Sequence, residues 1–133
     1  MSQFFARLAL LLTLSTPVPA LADPIQRVIN DQLSAFLADD FDTAFTYASP
    51  NIKRLFGSPE RFGQMVRNGY PMVHRPEEVT MLEQREIDGR VVQRVMIRDM
   101  GGRVHMLAYQ MIKTDDGWQI NGVQILRAPE VGA

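Results

Sequence analysis

Apolar residues in the first half of the chain recur at spacings of three and four, which is the period of an α-helix. The clearest run follows Asp23-Pro24, a pair suited to cap and start a helix. Its apolar stripe consists of Ile25, Val28, Ile29, Leu33, Phe36 and Leu37. The polar residues expected to face water include Gln26, Arg27, Asp31 and Gln32. We therefore predict a long first helix that lies with one face against a sheet, followed by a brief second helix that Asp39 and Asp40 cap.

Two Ser-Pro pairs predict two further short helices. Ser49-Pro50 and Ser58-Pro59 each place a capping hydroxyl directly before a proline, which fits the first helical position. The helices that they start are expected to stop at Gly57 and Gly69, because glycine suits the left-handed position after a helix. Residues 72–75, which precede a proline, are expected to be extended as a short edge strand or strap.

From residue 78 onward the apolar period changes to two, which is typical of β-strands. Turn signals at Asp88-Gly89, Gly101-Gly102 and Asp115-Asp116-Gly117 divide this half into four segments. The predicted strands are residues 79–87, 91–99, 104–114 and 118–126. The first two turns permit the positive φ values of tight hairpins, so successive strands should pair antiparallel as a meander. The predicted class is α+β, with N-terminal helices packed on a four-stranded antiparallel sheet.

The last strand changes phase in the middle. Trp118 and Ile120 alternate onto one face, whereas Val123 and Ile125 have the opposite parity. A β-bulge at Gly122 would return both pairs to the same face and bend the sheet strongly at that point.

The third strand is apolar on both faces. One face carries His105, Leu107, Tyr109 and Met111. The other carries Met106, Ala108, Gln110 and Ile112. We therefore expect a sheet that is partly covered on both sides, or one that associates with a second copy as a homodimer.

The N-terminus has the three regions of a secretory signal peptide. Arg7 supplies the positive charge, residues 8–14 the short apolar run, and Ala20-Leu21-Ala22 a small-residue cleavage site. We predict that residues 1–22 are a signal peptide and that residues 23–133 form a single domain. The location is expected to be periplasmic or secreted after cleavage near Ala22, and the absence of cysteine favours a bacterial periplasm.

Composition excludes two classes of partner. With 14 basic and 15 acidic side chains the formal net charge is −1, which provides no basic surface for nucleic acid. The N-terminal apolar run is too short to span a membrane, and no later stretch is comparable. We expect no nucleic-acid binding and no membrane span.

Three phrases carry a resemblance to a known superfamily. They are residues 44–50 (AFTYASP), 65–71 (MVRNGYP) and 116–123 (DGWQINGV). The chain resembles the nuclear-transport-factor-2-like superfamily, whose α+β domains form a cystatin-like cone. It is most similar to a family of exported Gram-negative bacterial proteins that is known only as a domain of unknown function. The resemblance implies a strongly bent meander that curls around the first helix and leaves a conical cavity, but it implies no particular activity.

A cavity of this kind is the default ligand site. The residues that we expect to face it as ligand-binding residues are Tyr47, Tyr70, Gln93, His105, Tyr109 and Asn121. Isomerases of the superfamily pair a carboxylate base with a tyrosine and a protonated acid. The one strand carboxylate central enough is Asp99, which more simply hydrogen-bonds the backbone of the adjacent Gly101-Gly102 turn. We predict no catalytic residues.

Other candidate chemistry has ordinary structural explanations. His105 is interpreted as a partly buried, hydrogen-bonded histidine, and His74 as exposed. Two histidines without cysteine, and methionines scattered over helices and strands, favour neither zinc nor copper, so we predict no metal and no cofactor. Arg94 and Arg98 share a strand face and could bind an anion, although pairing with glutamates of the neighbouring strand is the simpler interpretation.

The sequence thus predicts an exported, small binding or protein-interaction module whose small-molecule ligand or protein partner is unknown. It would use either the cone cavity or an exposed face of the sheet. The alternative is a small cavity enzyme of the isomerase or dehydratase type.

Overall fold

Five helices precede four strands in the computed structural model, which describes residues 23–126. The helices are α1 (Pro24–Leu37), α2 (Phe41–Thr46), α3 (Pro50–Phe56), α4 (Pro59–Gly69) and α5 (Pro71–His74). The strands are β1 (Pro76–Ile87), β2 (Arg90–Asp99), β3 (Val104–Thr114) and β4 (Gly117–Leu126). The α+β class is as predicted. The predicted signal peptide lies outside the described residues.

The predicted caps start the helices. The Asp23 carboxylate accepts hydrogen bonds from the backbone N–H groups of Ile25 and Gln26 at 2.8 and 3.3 Å. Ser49 and Ser58 cap α3 and α4 in the same way. Each bond satisfies a backbone donor that the first turn of a helix otherwise leaves without a partner, so these sequence signals fix where the helices begin.

The two glycines at the predicted helix ends behave differently. Gly57 ends α3 in the left-handed conformation, with φ of 82°. The left-handed assignment for Gly69 was wrong, because α4 continues through Gly69 and Tyr70 follows as the capping residue. Glycine permits a left-handed ending but does not require one.

The extended segment predicted at residues 72–75 was also wrong. Residues Pro71–His74 form the single turn of α5, and β1 begins directly after it at Pro76. Proline at the first position preorganises the turn, and Met72 and Val73 are buried within the core. Arg75 then ties the turn to α1 by donating a hydrogen bond to the carbonyl of Phe36 at 2.8 Å. Tertiary burial thus overrides the weak local preference of four residues.

The four strands form one antiparallel sheet in the order β1-β2-β3-β4, which is the predicted meander. At the β1–β2 turn Asp88 and Gly89 both have positive φ, 51° and 77°, as a primed hairpin turn requires. The bulge in β4 is confirmed: Met111 pairs with Ile120 and Gln110 pairs with Gly122, so Asn121 is the extra residue. Ile120 and Val123 therefore face the same side of the sheet.

The inner face of the sheet packs against α1 and leaves little room between them. Ile29, Leu33 and Phe36 of α1 are buried in the same cluster as Val95, Leu107, Tyr109 and Met111 of the sheet. Leu37, which was assigned to the apolar stripe, is exposed because the helix ends there and turns away. The space between α1 and the centre of the sheet is therefore filled with side chains.

The opposite face carries its own apolar row. Met106 pairs with Met96 on one side and with Leu126 on the other, so the three side chains share the outer face of the sheet. Met96 and Met106 are half-buried, and Val104 beside them is exposed. Association of two copies through this face stays a prediction.

Candidate functional site: an apolar cavity beside the bulged strand

A cavity of about 240 Å³ opens between the short helices and the last strand. Its wall takes residues from α1, α3, α4, α5 and β4. The aromatic and aliphatic side chains that define it include Phe36, Ile52, Phe56, Phe62, Val66 and Val123. Leu55 forms part of the rim and is 73% exposed. The cavity is thus almost entirely apolar and is reached from the surface beside α3.

Residues on either side of the β4 bulge line the cavity. Ser49 donates a hydrogen bond to the Asn121 side-chain oxygen at 2.7 Å and also caps α3 through the N–H of Ile52. The backbone N–H of Ser49 donates to the carbonyl of Ile120 at 2.8 Å, and the N–H of Ile120 donates to the carbonyl of Tyr47 at 2.9 Å. The start of α3 is therefore fixed to the bulged residues of β4, on one side of the cavity.

Aromatic contacts make one wall rigid. The ring of Phe62 lies 5.8 Å from that of Phe36, 5.2 Å from that of Phe45 and 5.8 Å from that of Phe56. Tilted and edge-on pairs at these separations are favourable and restrict the rings to few orientations. Helices α1, α2, α3 and α4 meet at this cluster, so the cavity wall is part of the core.

Gln32 is the buried polar residue of the cavity wall, and the expectation that it faces water was wrong. It is only 3% exposed, and its amide nitrogen donates a hydrogen bond to the carbonyl of Ala44 at 3.1 Å. Within residues 23–126 its amide oxygen accepts no hydrogen bond. Gln32 lies four positions after Val28 and four before Phe36, so helical spacing puts it within the apolar stripe of α1. Helix α2 packs against α1 and accepts the hydrogen bond of the Gln32 amide.

Tyr70 also lines the cavity, as predicted for a ligand-facing residue, although contact with a ligand is untested. Its hydroxyl donates a hydrogen bond to the carbonyl of Val123 at 2.9 Å. Because the proton is committed to that bond, the oxygen of Tyr70 can still accept a hydrogen bond from another group.

Tyr109 lies fully buried behind this wall. Its cross-strand neighbour in β4 is Val123, a residue of the cavity. The Tyr109 hydroxyl has no hydrogen-bond partner among the described residues. Burial, and secondarily the nearby Tyr70, raise the pKa of Tyr109 well above its usual value. The phenol therefore remains neutral over the physiological pH range.

Gln93 belongs to a separate polar network. Its side-chain oxygen accepts hydrogen bonds from Gln84 at 2.8 Å and Gln26 at 3.4 Å. Its amide nitrogen donates to the carbonyls of Leu82 and Arg94 at 2.9 and 2.8 Å. Gln84 in turn donates to the capping carboxylate of Asp23, so the network joins the start of α1 to β1 and β2. A fully bonded, buried amide of this kind fixes packing.

His105 and Asp99 form a pair near the β2–β3 turn. Asp99 accepts hydrogen bonds from the N–H groups of Gly101 and Arg103, both at 2.9 Å, which confirms it as a turn residue. Its second oxygen lies 2.8 Å from Nε2 of His105. The bond from His105, followed by those of the turn, lowers the pKa of Asp99. The lowered pKa does not fit the acid that an isomerase of the expected type keeps protonated, and neither Asp99 nor His105 lines the cavity.

The predicted ligand-facing residues thus do not converge on one space. Tyr70 lines the cavity, Tyr109 lies behind its wall, and Asn121 and Tyr47 support it through the bonds at the bulge. Gln93 and His105 lie in the separate networks described above. Contact of the six residues with a ligand stays a prediction. Gln32 was missed because its polarity predicts exposure, although its helical spacing from Val28 and Phe36 places it on the buried face of α1.

Two arginines of β2 pair with glutamates of β1. Arg94 lies 2.6 Å from Glu83 and Arg98 lies 3.3 Å from Glu78, as expected for cross-strand partners. His74 was expected to be exposed, but its side chain is half-buried, at 16% exposure, and its Nε2 lies 2.8 Å from an oxygen of Asp39. Its ring also stacks on Phe41, at 6.0 Å between centroids. In the part of the chain that the structure describes, no three histidine or carboxylate side chains cluster as metal ligands. No helix there is long and apolar enough to cross a membrane.

Helices packed on an antiparallel meander, with a cavity at one side, give the chain the fold of nuclear-transport-factor-2-like α+β proteins. Residues 20–133 match the family described as Domain of unknown function (DUF4864), and the chain belongs to that family. No curated protein matches the sequence.

Solved structures share the fold at low sequence identity. An NTF-2 like protein of unknown function from Shewanella oneidensis has a TM-score of 0.54 and 17% identity, over 77% of this chain and 96% of the other. A putative NTF2-like transpeptidase from Campylobacter jejuni has a TM-score of 0.53 and 14% identity, over 76% of this chain and 99% of the other. A SEC-C motif containing protein from Rhodopseudomonas palustris has a TM-score of 0.55 and 17% identity, over 75% of this chain and 77% of the other. These likenesses concern the fold alone.

Proposed function

We propose that this protein is an exported binding module that holds a small apolar molecule in the cavity beside β4. The observation that carries the proposal is the cavity wall, which is aromatic and aliphatic, has no charged side chain and has two polar ones, Gln32 and Tyr70. Ligand sites in proteins are concave, mostly apolar and supplied with few polar groups.

The size of the cavity supports a ligand. An engineered apolar cavity of about 150 Å³ holds benzene, so a cavity of about 240 Å³ accommodates a larger body such as two fused rings. The exposed Leu55 at the rim provides a further reason. A large aliphatic side chain at the mouth of an apolar cavity extends its apolar surface toward an entering molecule.

Export is part of the proposal and rests on the N-terminal sequence. Residues 1–22 have the order of charge, apolar run and small-residue cleavage site that secretory signal peptides share. A periplasmic or secreted module would meet apolar molecules outside the cytoplasm. Detection of a mature chain that begins at Asp23 in the periplasmic fraction would support this step, and a cytoplasmic chain that keeps residues 1–22 would refute it.

Filling the cavity tests the binding function. Ile52→Trp adds a bulky ring to the wall, whereas Ile87→Trp makes the same change at the β1–β2 turn, where Ile87 is 51% exposed. The probe is the neutral dye N-phenyl-1-naphthylamine, whose fluorescence rises in apolar surroundings. We expect saturable binding to the wild type and to the Ile87 variant. Binding to the Ile52 variant should be weaker by about tenfold or more, since overfilling costs roughly 1–3 kcal/mol. Equal binding to all three proteins would contradict the proposal.

A homodimer through the outer face of the sheet is a second candidate, favoured by the row of Met96, Met106 and Leu126. Sedimentation of the wild type and of Met106→Lys tests it. A wild-type dimer that the lysine dissociates is the expected result, because an unpaired charge is costly to bury between two apolar faces. A wild-type monomer would exclude it.

A further inference from the structure

We infer that the ligand is neutral and carries a hydrogen-bond donor on its apolar body, as an alcohol or a phenol does. This inference rests on the proposed binding function. It is drawn from the two polar groups of the cavity wall, the amide of Gln32 and the hydroxyl of Tyr70.

Both groups offer an acceptor to the cavity. The amide orientation of Gln32 is set by its bond from nitrogen to the carbonyl of Ala44, which assigns the other atom as oxygen. That oxygen receives no hydrogen bond from the described residues. The Tyr70 hydroxyl gives its proton to the carbonyl of Val123 and retains a free lone pair. A ligand hydroxyl could therefore donate to either oxygen, whereas a ligand with only acceptors would find one remaining amide hydrogen of Gln32.

The cavity wall discriminates against charge. It contains no lysine, arginine, histidine, aspartate or glutamate. A carboxylate or ammonium group that left water for this wall would have no opposite charge, and burial of an unpaired ion costs far more than one hydrogen bond returns. A fatty acid anion or an amine is therefore a poor ligand.

The position of the polar groups also orients the ligand. Leu55 at the rim is exposed, whereas Gln32 is almost fully buried. A molecule that enters beside Leu55 thus brings its hydroxyl to the buried end and leaves its apolar body against the phenylalanines. A hydroxyl that donates to one of these acceptors gains about one net hydrogen bond, which the hydrocarbon analogue cannot form.

Three probes of one shape test the inference: naphthalene, 2-naphthol and 2-naphthoate at pH 7. Binding is followed by NMR of ¹³C-labelled methionine methyl groups. Met65 lines the cavity and Met106 on the outer face of the sheet is the internal control. We expect 2-naphthol to shift the Met65 signal and to bind roughly fivefold to tenfold tighter than naphthalene, the value of one net hydrogen bond. Naphthoate should leave Met65 unchanged.

Variants assign the effect to the acceptor. Gln32→Met keeps the length of the side chain and removes both amide groups, and Gln64→Met makes the same change at an exposed position of α4. Only the Gln32 variant should lose the preference for 2-naphthol while it still binds naphthalene. Tyr70→Phe provides a second test if the Gln32 variant does not fold. Preference for 2-naphthol that survives in both variants would overturn the inference.

The outcomes separate the two proposals. If the three probes shift Met65 with equal affinity, or if naphthoate binds tightest, the ligand class is wrong and the binding function stands. If none of them shifts Met65, the cavity does not bind apolar molecules of this size, and the proposed function fails together with the inference.

Discussion

Removal of the Tyr109 hydroxyl should stabilise the protein, although it deletes a polar group from the centre of the fold. Tyr109 is fully buried, and its hydroxyl has no hydrogen-bond partner among the described residues. In the unfolded chain water satisfies the same hydroxyl. Folding therefore desolvates it without compensation, a penalty of about 1–3 kcal/mol. Tyr109→Phe keeps the ring and avoids this penalty, and the loss of one oxygen leaves only a small gap in the packing.

We expect Tyr109→Phe to raise the free energy of unfolding by about 1–2 kcal/mol, which is a rise in Tm of roughly 4 °C or more for a domain of this size. Tyr70→Phe is the matched control. It removes the same atom from a tyrosine whose hydroxyl donates to the carbonyl of Val123 at 2.9 Å. That variant should lose about 1 kcal/mol. The same chemical change should thus raise the free energy of unfolding at position 109 and lower it at position 70.

Alkaline pH sharpens the test. Burial raises the pKa of Tyr109 above its ordinary value of 10.0. A group whose pKa is higher in the folded state contributes its full stability below the unfolded pKa and loses it as pH rises toward the folded pKa. The wild type should therefore lose up to about 1.4 kcal/mol per pH unit from this group above pH 10. Tyr109→Phe should escape that loss, so the difference between the proteins widens between pH 9 and pH 11.

Urea unfolding followed by the fluorescence of Trp118 gives the free energies, and calorimetry gives Tm. A Tyr109→Phe variant that is less stable than the wild type by more than about 1 kcal/mol would refute the reasoning, because it would show that the hydroxyl is hydrogen-bonded in solution. A difference that does not change with pH would refute the raised pKa.

Two further predictions concern the helices. Gly63→Ala in α4 would place a methyl group 2.7 Å from the ring of Phe41, so it should destabilise the protein by about 1–3 kcal/mol. At Gly69 an added methyl group would have no atom within 4 Å, so Gly69→Ala should be neutral or should stabilise by up to about 1 kcal/mol. Urea unfolding compares the two, and equal effects would contradict the close contact. Asp39→Asn should destabilise at neutral pH because the carboxylate binds His74 and Arg75, which lower its pKa below 3.8. The stability from the Asp39 carboxylate is present above its unfolded pKa and is lost as pH falls through its folded pKa. The difference in Tm between the wild type and Asp39→Asn should therefore disappear in acid. A difference that stays constant with pH would argue against the ion pairs.

Local chemistry explains how much of the fold could be predicted. Asp23, Ser49 and Ser58 cap helices with bonds to residues two or three positions ahead, so the signal and its effect lie in the same short segment. The bulge could be predicted for a similar reason. Without an extra residue beside Gly122, Ile120 and Val123 would face opposite sides of the sheet and one of them would be exposed, so the sequence itself predicts a bulge there.

The errors lie where distant segments decide the outcome. Helix α5 has too few residues for its propensity to matter, and burial of Met72 and Val73 against the core forms its single turn. Gln32 lies within an apolar stripe, and the partner that satisfies its amide, the carbonyl of Ala44, comes from the neighbouring helix. His74 meets Asp39 from 35 residues away. None of these contacts has a counterpart in the local sequence.

The position of the cavity follows from both kinds of information. Phe36, Leu107 and Tyr109 fill the space between α1 and the centre of the sheet, whereas the space between α1 and β4 stays partly open as the cavity. The bulge turns Val123 inward, and the bond between Ser49 and Asn121 fixes the start of α3 beside it. An apolar wall thus forms next to the filled core. The phase shift that predicted the bulge from sequence therefore marks the place of the proposed ligand site. The proposed acceptor, Gln32, comes instead from α1, at the other end of the described residues.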